Sequence, residues 1–276
     1  DIDYTSSKPR TTGYTANLLA LKPSVGFNIS SNTRVNLAYK FENIDVTAVG
    51  SSEVLKQDIG QSTRSLIDFS LRHDKRDSII KPTKGYIINF GSEIAGLGGD
   101  DQFVKSKASG KIYQGVFDNN IIFSTELEGG ILSMVKGYSK VVDRFLLGGR
   151  SFRGFKYNGI GPRELNNGSY TIPLGGEKYA IARLAASFPL GLPRELGLYG
   201  SLFAEAGTLW DLKTDPNISG LSDKVALTDR TIRTSIGFAM NWETPIGPLQ
   251  FNWSRPQKYL EADDLEYFSL NLATRF

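Results

Sequence analysis

The last eleven residues of the chain, 266–276, alternate between apolar and polar side chains. Successive side chains of a β-strand point to opposite faces, so this alternation predicts a strand with one apolar and one polar face. A bulky aromatic residue at the end of an unprotected strand suits a transmembrane β-barrel, in which apolar side chains face lipid and aromatic side chains lie at the interfaces. The predicted apolar face consists of Phe268, Leu270, Leu272, Thr274 and Phe276.

The two-residue period recurs along the chain and predicts an all-β fold. No stretch reaches the roughly 18–20 apolar residues of a membrane-spanning helix. Lipid cannot satisfy the hydrogen bonds of an open sheet edge, so a membrane location requires a closed barrel. We predict an antiparallel transmembrane β-barrel with about 11–12 strands present, as a single domain over 1–276. The predicted strands are 14–28, 34–45, 63–75, 85–95, 105–117, 120–134, 178–188, 197–209, 232–242, 248–254 and 266–276.

The connections between these strands alternate between short and long, as in outer-membrane barrels with short periplasmic turns and long extracellular loops. The pattern predicts that all long connections emerge on one rim and that the C-terminus lies at the other, periplasmic rim. The short connections are 29–33, 76–84, 118–119, 189–196 and 243–247. The long connections are 46–62, 96–104, 135–177, 210–231 and 255–265.

The strand directions predict that the barrel is incomplete. The strands at 14–28 and 266–276 run in the same direction, so they cannot pair antiparallel with each other. At least one strand of opposite direction must therefore precede residue 14. Because bacterial single-chain barrels usually have even strand numbers, we expect N-terminal strands to be missing. The alternative is that residues 1–10 form a short closing strand of a twelve-stranded barrel.

Composition disfavours several classes of function. The chain has 32 Lys and Arg residues against 29 Asp and Glu residues, a net charge of +3 that shows no bias toward nucleic acid. It has no Cys, and His73 is its one histidine, so neither thiolate chemistry nor a metal site of clustered His and Cys is expected. A hydrolase would need a Ser beside His73, but Ser70 falls on the opposite strand face. We expect no enzymatic activity, no metal and no cofactor.

The 43-residue connection at 135–177 is too long for a passive linker. It contains the sequence Leu-Gly-Gly-Arg-Ser-Phe-Arg-Gly-Phe at 147–155. Here the chain resembles the BamA-type outer-membrane assembly barrels, a family related to the chloroplast import and mitochondrial sorting channels. The hallmark of that family is an Arg-Gly-aromatic tip on a long loop folded back into the barrel, and the matching residues are Arg153, Gly154 and Phe155.

Three further motifs resemble the family. Phe-Ala-Glu-Ala-Gly-Thr-Leu-Trp at 203–210 resembles a strand that carries an acidic residue, and Pro-Ile-Gly-Pro-Leu-Gln-Phe at 245–251 resembles the turn before the penultimate strand. The Asp-Lys-Arg-Asp sequence at 74–77, followed by Pro-Thr-Lys-Gly-Tyr at 82–86, resembles a turn of the family. We interpret its charged residues as a structural ion-pair cluster at the periplasmic rim, formed by Asp74, Arg76 and Asp77.

The resemblance implies an acidic partner for Arg153 inside the barrel. A guanidinium in a lumen needs a carboxylate, and a bidentate pair can hold a loop in one geometry. Glu205 matches that partner and shares a strand face with Tyr199 and Ser201. A second acidic position of the relatives falls on Ala185, so the loop clamp is expected to rest on one carboxylate. The alternative is that Arg153 is a solvated loop residue.

The resemblance also implies the C-terminal part of a 16-stranded barrel in the bacterial outer membrane, without the periplasmic POTRA repeats. It implies a role in folding and inserting other outer-membrane proteins at a weak seam, whose strand supplies Phe268, Leu270, Leu272 and Phe276. The implied partners are outer-membrane lipid and lipopolysaccharide, unfolded outer-membrane proteins, and accessory lipoproteins of the assembly complex. A TamA-like or two-partner-secretion transporter barrel stays open as an alternative. A passive porin would explain the alternation but not the loop motif.

Overall fold

The computed structural model describes residues 2–7, 14–48, 52–215, 217–244 and 247–272. Helical structure in these residues is limited to one turn of α-helix, α1 (Glu53–Lys56), and two 3-10 turns at Arg194–Leu196 and Ser222–Lys224. In this described part, no helix is long and apolar enough to cross a membrane. The strands are β1 (Ile2–Ser7), β2 (Tyr14–Leu21), β3 (Ser24–Ser30), β4 (Thr33–Ala48), β5 (Gly60–Asp74), β6 (Lys84–Gly99), β7 (Gln102–Val116), β8 (Ile121–Lys136), β9 (Arg163–Asn166), β10 (Ser169–Pro173), β11 (Lys178–Pro189), β12 (Leu198–Trp210), β13 (Val225–Ala226), β14 (Arg233–Thr244), β15 (Gly247–Lys258) and β16 (Phe268–Leu272).

The main sheet is an antiparallel meander in the order β1-β2-β4-β5-β6-β7-β8-β11-β12-β14-β15-β16, with β3 pairing with β4 beside β2. Each neighbour pair in this path is antiparallel. The all-β antiparallel prediction is therefore confirmed. Among the described residues, β1 and β16 form the two ends of the path and do not pair with each other.

The sheet curves around the segment 137–177, which connects β8 to β11. This segment hydrogen-bonds to Arg64 of β5 and to Ser235 of β14, two strands that lie far apart in the sheet order. One segment can contact both only if the sheet wraps around it, as a barrel wall does. The outer face of that wall carries exposed large apolar side chains at alternate positions, including Leu127, Leu184, Leu202, Ile236 and Leu270.

The N-terminal region differs from the prediction in two respects. The predicted strand at 14–28 is divided into β2 and β3, and both pair with β4. The break lies at Pro23, which has no N–H to donate to a ladder and instead accepts a hydrogen bond from the Tyr39 N–H at 3.1 Å. Residues Ile2–Ser7 form β1, an antiparallel neighbour of β2. A strand of opposite direction therefore precedes residue 14, as strand parity requires.

The predicted long connection at 96–104 is wrong. Strand β6 continues to Gly99 and β7 begins at Gln102, so two residues connect them. The segment is rich in glycine, which is typical of turns, but Gly96, Gly98 and Gly99 lie within the strand at positive φ angles that glycine tolerates. The connection between β5 and β6 on the other rim is longer than this one, so the alternation of short and long connections has exceptions.

The lumen contains structure that the sequence pattern does not indicate. Within the segment 137–177, β9 and β10 form a hairpin that pairs with β13 from the connection between β12 and β14. Two apolar clusters fix these loops to the wall. The first joins the loop residues Phe145, Phe152 and Phe155 to inward-facing residues of β7, β8, β11 and β12. The second packs α1 against β2, β4 and the neighbouring loops.

Some predicted features lie outside the described residues. Phe276 of the predicted seam strand belongs to this group, as do Thr274 and the first two residues of the 245–251 turn. The described part of the last strand is Phe268–Leu272, which pairs with β15 from Trp253 to Leu249.

Candidate functional site

The tip of the long loop is a closed turn that requires glycine at its base. Gly148 and Gly149 have φ angles of 126° and 59°. A Cβ atom on Gly148 would lie 1.8 Å from the Lys156 carbonyl oxygen, which leaves no room for a side chain. The Gly149 N–H donates to the Phe155 carbonyl at 2.7 Å and closes the turn. The paired glycines therefore place Arg153, Gly154 and Phe155 on a compact tip inside the barrel.

The structure places Arg153 against Glu205 on the lumen face of β12. The Glu205 carboxylate accepts hydrogen bonds from Arg153 Nε at 2.7 Å and from the Arg153 backbone N–H at 2.8 Å. Arg153 Nη2 lies 2.6 Å from the same carboxylate, and the two side chains are 13% and 2% exposed. The guanidinium carbon also lies 3.5 Å from the centre of the Phe203 ring, which favours a cation at its face.

Gly154 allows the tip to approach β14 closely. Its φ angle is 93°, and a Cβ atom there would lie 2.9 Å from the Cβ of Ser235. The Ser235 hydroxyl donates to the Arg153 carbonyl at 2.6 Å. Only glycine combines this backbone conformation with this contact without strain. Arg153 and Gly154 thus attach the loop tip to two neighbouring strands of the wall, β12 and β14.

Phe155 anchors the tip by burial and by backbone pairing. Its ring stacks on Phe152 with 5.0 Å between the ring centres, and both side chains are fully buried. Phe155 also forms a β-bridge with Leu265, in the segment that leads into β16. The Lys156 N–H donates to the Asp264 carbonyl at 2.8 Å in the same place. The loop tip therefore holds the entry to the last strand, a contact that sequence reasoning missed.

A second anchor comes from a basic residue of β11. Arg183 Nη2 donates to the Ser151 carbonyl at 2.6 Å, and Arg183 lies directly across the β11–β12 pairing from Glu205. The guanidinium is held by Glu126 at 3.0 Å and Glu128 at 2.8 Å on β8. With alanine at position 185, the loop clamp therefore consists of one carboxylate and one arginine. The sequence signal that could have predicted this anchor is the presence of Glu126 and Glu128 on one face of a strand, because carboxylates that face the lumen require a cation nearby.

The charged residues of the β5–β6 turn divide into two groups. Asp74 is bidentate to Arg76, with hydrogen bonds of 2.8 and 2.7 Å, and it also accepts from Arg72. Asp77 instead caps the turn by accepting from the Thr83 hydroxyl at 2.5 Å and from the Thr83 and Lys84 N–H groups. The hydrogen bond from the Thr83 side chain is the main cause that lowers the pKa of Asp77 to about 2.

The predicted seam residues Phe268, Leu270 and Leu272 lie on the outer, lipid-facing side of β16 and are exposed. Phe268 contacts Trp253 of β15, with 5.5 Å between the ring centres.

The ring nitrogens of His73 form hydrogen bonds with the Thr33 hydroxyl at 2.8 Å and with the Tyr86 hydroxyl at 3.4 Å. It lies at the end of β5 and not beside Ser70.

This arrangement defines a class of protein: an antiparallel membrane β-barrel whose lumen holds a long loop by a buried Arg–Glu pair. Comparison with known proteins agrees with this class. The sequence model of the Omp85 superfamily domain matches residues 1–276, and the chain belongs to that superfamily. It is an outer-membrane β-barrel protein.

Two relatives and one solved structure illustrate the similarity. The chain is 27% identical over 256 residues to the outer membrane protein assembly factor BamA of Neorickettsia risticii, covering 92% of this chain and 33% of the relative. It is 30% identical over 224 residues to BamA of Neisseria meningitidis serogroup B, covering 74% of this chain and 28% of the relative. The fold matches a crystal structure of Haemophilus ducreyi BamA lacking POTRA domains 1–3, with a TM-score of 0.85, 19% identity, and coverage of 98% of this chain and 56% of that one. The chain thus spans about a third or less of the curated relatives cited here.

Proposed function

We propose that the protein containing this barrel folds and inserts other outer-membrane β-barrel proteins, and that it does so without enzymatic chemistry. The curated relatives that support the proposal carry the name outer membrane protein assembly factor. Under this proposal the clients are unfolded outer-membrane proteins, and the accessory partners are the lipoproteins of an assembly complex. Outer-membrane lipid and lipopolysaccharide surround the wall.

The mechanism rests on the outer edge of β16, the edge that faces away from β15. The Ser254 N–H donates to the Tyr267 carbonyl at 2.8 Å, and the register pairs Trp253 with Phe268. In an antiparallel ladder, hydrogen-bonded and non-bonded pairs alternate. The backbone groups of Ser269 and Asn271 therefore point toward β15, whereas those of Phe268, Leu270 and Leu272 point away from it.

Within the described residues, no strand pairs with β16 on the side away from β15. An edge of this kind presents N–H and C=O groups that can template an incoming strand. The side chains of Phe268, Leu270 and Leu272 already face lipid, so a client strand that pairs there would enter the membrane with its own apolar face outward. The loop tip keeps this edge in place by pairing with 264–266.

Two proline substitutions test the mechanism, since proline removes one backbone donor. Leu270→Pro removes an N–H at the outer edge and leaves the hydrogen bonds with β15 intact. Ser269→Pro is the matched control, because it removes an N–H that faces β15. We expect Leu270→Pro to assemble its own barrel normally and to slow the assembly of clients. Ser269→Pro should weaken the barrel itself. Client assembly at the normal rate in Leu270→Pro would contradict pairing at this edge.

Depletion of the full-length protein in cells tests the function and separates it from a transporter. We expect unrelated outer-membrane barrels to accumulate unfolded after depletion. If those barrels continued to fold at the normal rate while one secreted protein or one solute was affected, a TamA-like or two-partner-secretion role would be correct. Steady ion conduction by the purified barrel with no effect on other barrels would indicate a porin.

A further inference from the structure

A second arginine of the loop tip contacts the last strand directly. Arg150 Nη2 donates to the carbonyl oxygen of Leu272, and Arg150 Nε donates to Asn271 Oδ1 at 3.3 Å. Both acceptors belong to β16, more than 120 residues away in the sequence. Arg150 is exposed, whereas the side chain of Arg153, three residues later, is only 13% exposed.

The phase of the ladder shows which backbone acceptor Arg150 occupies. Leu272 is opposite Leu249, and this pair lies four residues along the ladder from the pair of Trp253 and Phe268. Because pair types alternate along the ladder, the two pairs are of the same, non-hydrogen-bonded type. Such pairs direct their backbone groups away from each other, because the adjacent pair of Ser254 and Tyr267 is hydrogen-bonded. The Leu272 carbonyl therefore belongs to the outer edge of β16, which faces away from β15. The guanidinium occupies the position that the N–H of a partner strand would take.

We propose that Arg150 is a latch on the outer edge of β16, which an incoming strand must displace in order to pair there. The proposal rests on the proposed function, since it assigns a competitor to the edge that clients would use. Arg150 supplies a charged donor to one edge acceptor and so satisfies it when no partner strand is present. The latch covers the end of the described strand, and no strand among the described residues pairs with the carbonyls of Phe268 and Leu270 at this edge.

The anchoring of the loop tip keeps the latch close to its acceptor. Arg153 and Phe155 fix the tip to β12 and to the segment before β16. Arg150 therefore returns to Leu272 by rotation of its own side chain and without movement of the loop. Because its hydrogen bond is exposed to solvent or to an incoming chain, breaking it does not leave a buried charge unpaired. A contact that is weak and always nearby suits reversible release.

Variants of the full-length protein test the latch by its effect on client assembly. Arg150→Gln removes the charge, and Arg150→Lys retains a charged donor. Lys156→Gln is the matched control, because it removes a positive charge from an exposed position of the same loop tip. In vesicles with limiting unfolded client, we expect Arg150→Gln to speed client assembly about fivefold. Loss of one exposed hydrogen bond changes an equilibrium constant by about this factor. Arg150→Lys should lie between Arg150→Gln and the wild type.

An unchanged or slower rate in Arg150→Gln, with its barrel still heat-modifiable on gels, would overturn the latch. An equal acceleration in Lys156→Gln would also overturn it, since charge alone would then explain the effect. A proximity measurement remains valid whether or not the protein assembles clients. A short bifunctional thiol reagent should link Arg150→Cys to Asn271→Cys in the resting protein, and should link Lys156→Cys to Asn271→Cys far less. Failure to link the first pair would refute the geometry, whereas linking without any client assembly by the wild type would refute the proposed function alone.

Discussion

The buried pair of Arg153 and Glu205 gives the most quantitative prediction. Glu205 accepts three contacts from one residue: Arg153 Nε at 2.7 Å, Nη2 at 2.6 Å and the backbone N–H at 2.8 Å. In Glu205→Ala, the guanidinium and the backbone N–H lose their acceptor in a site with little access to water. In Arg153→Ala, the carboxylate keeps only the backbone donor.

Removing one partner of a buried ion pair destabilises a protein by about 3–5 kcal/mol, because a charge is left without compensation. We expect each single variant to lose stability in this range. The double variant leaves neither charge buried, so its loss should fall short of the sum of the single losses by about 1–3 kcal/mol. This shortfall is the coupling energy of the pair.

The measurement is the free energy of unfolding of each variant in lipid vesicles, obtained from urea titrations. Limited proteolysis of the segment 137–177 provides a local readout, since cleavage should increase in both single variants. Lys156→Gln is the control for a charge change in the same loop and should match the wild type. If the two losses were additive within about 0.5 kcal/mol, the pair would not stabilise the loop and the reasoning would be refuted.

Three further predictions follow from single contacts. Gly154→Ala should loosen the loop by about 1–3 kcal/mol, because alanine is strained at this φ angle and its Cβ would press on Ser235; protease sensitivity of the loop measures this, and a wild-type cleavage rate would contradict it. Phe203→Leu should weaken the hold on Arg153 by about 1 kcal/mol, since the cation loses an aromatic face; the urea midpoint measures this, with no change as the refuting result. The lowered pKa of Asp77 means that its ionised form stabilises the turn above pH of about 4, and that this stabilisation is lost as the pH falls through about 2. The melting temperature of Asp77→Asn should therefore be lower than that of the wild type at neutral pH, and the two should become equal as the pH falls to about 2. A difference in melting temperature that does not change with pH would show that the carboxylate is not responsible.

The wall of the barrel could be predicted from the sequence because lipid and lumen impose opposite demands on alternate residues. Trp253 and Leu270 are exposed on the outside, whereas Glu205 is buried and Arg183 is half-buried on the inside. This period survives irregularities, since a bulge shifts the register locally and the alternation resumes. The ends of strands were predicted less well. In β6, glycines that usually mark turns continue the strand to Gly99, because glycine can also adopt the positive φ angles of an irregular strand.

The contacts inside the lumen could be predicted only where one residue requires a particular partner. The Arg153–Glu205 pair was accessible because a buried guanidinium needs a carboxylate and the family resemblance supplied the position. The hairpin of β9 and β10, its pairing with β13, and the bridge between Phe155 and Leu265 depend on backbone groups. Backbone hydrogen bonds between segments far apart in the sequence do not require particular side chains, so no side-chain pattern predicts these contacts. The ladder phase that exposes the Leu272 carbonyl is likewise a property of the paired strands and not of the residues.

The two arginines of the loop tip differ in a way that suits their separate positions. Arg153 is enclosed by Glu205 and Phe203, so its release would leave charges buried and would be slow and costly. Arg150 donates to an exposed backbone carbonyl at the strand edge, so its release requires only exchange with water or with another donor. The proposed function requires both properties, since the edge must be held in a fixed position and must also become available. Arg150→Glu replaces this donor with a carboxylate that repels the Leu272 carbonyl, so it should release the carbonyl while the tip stays anchored by Arg153. The loop of this variant should resist protease as the wild type does, and faster cleavage would show that Arg150 also anchors the loop.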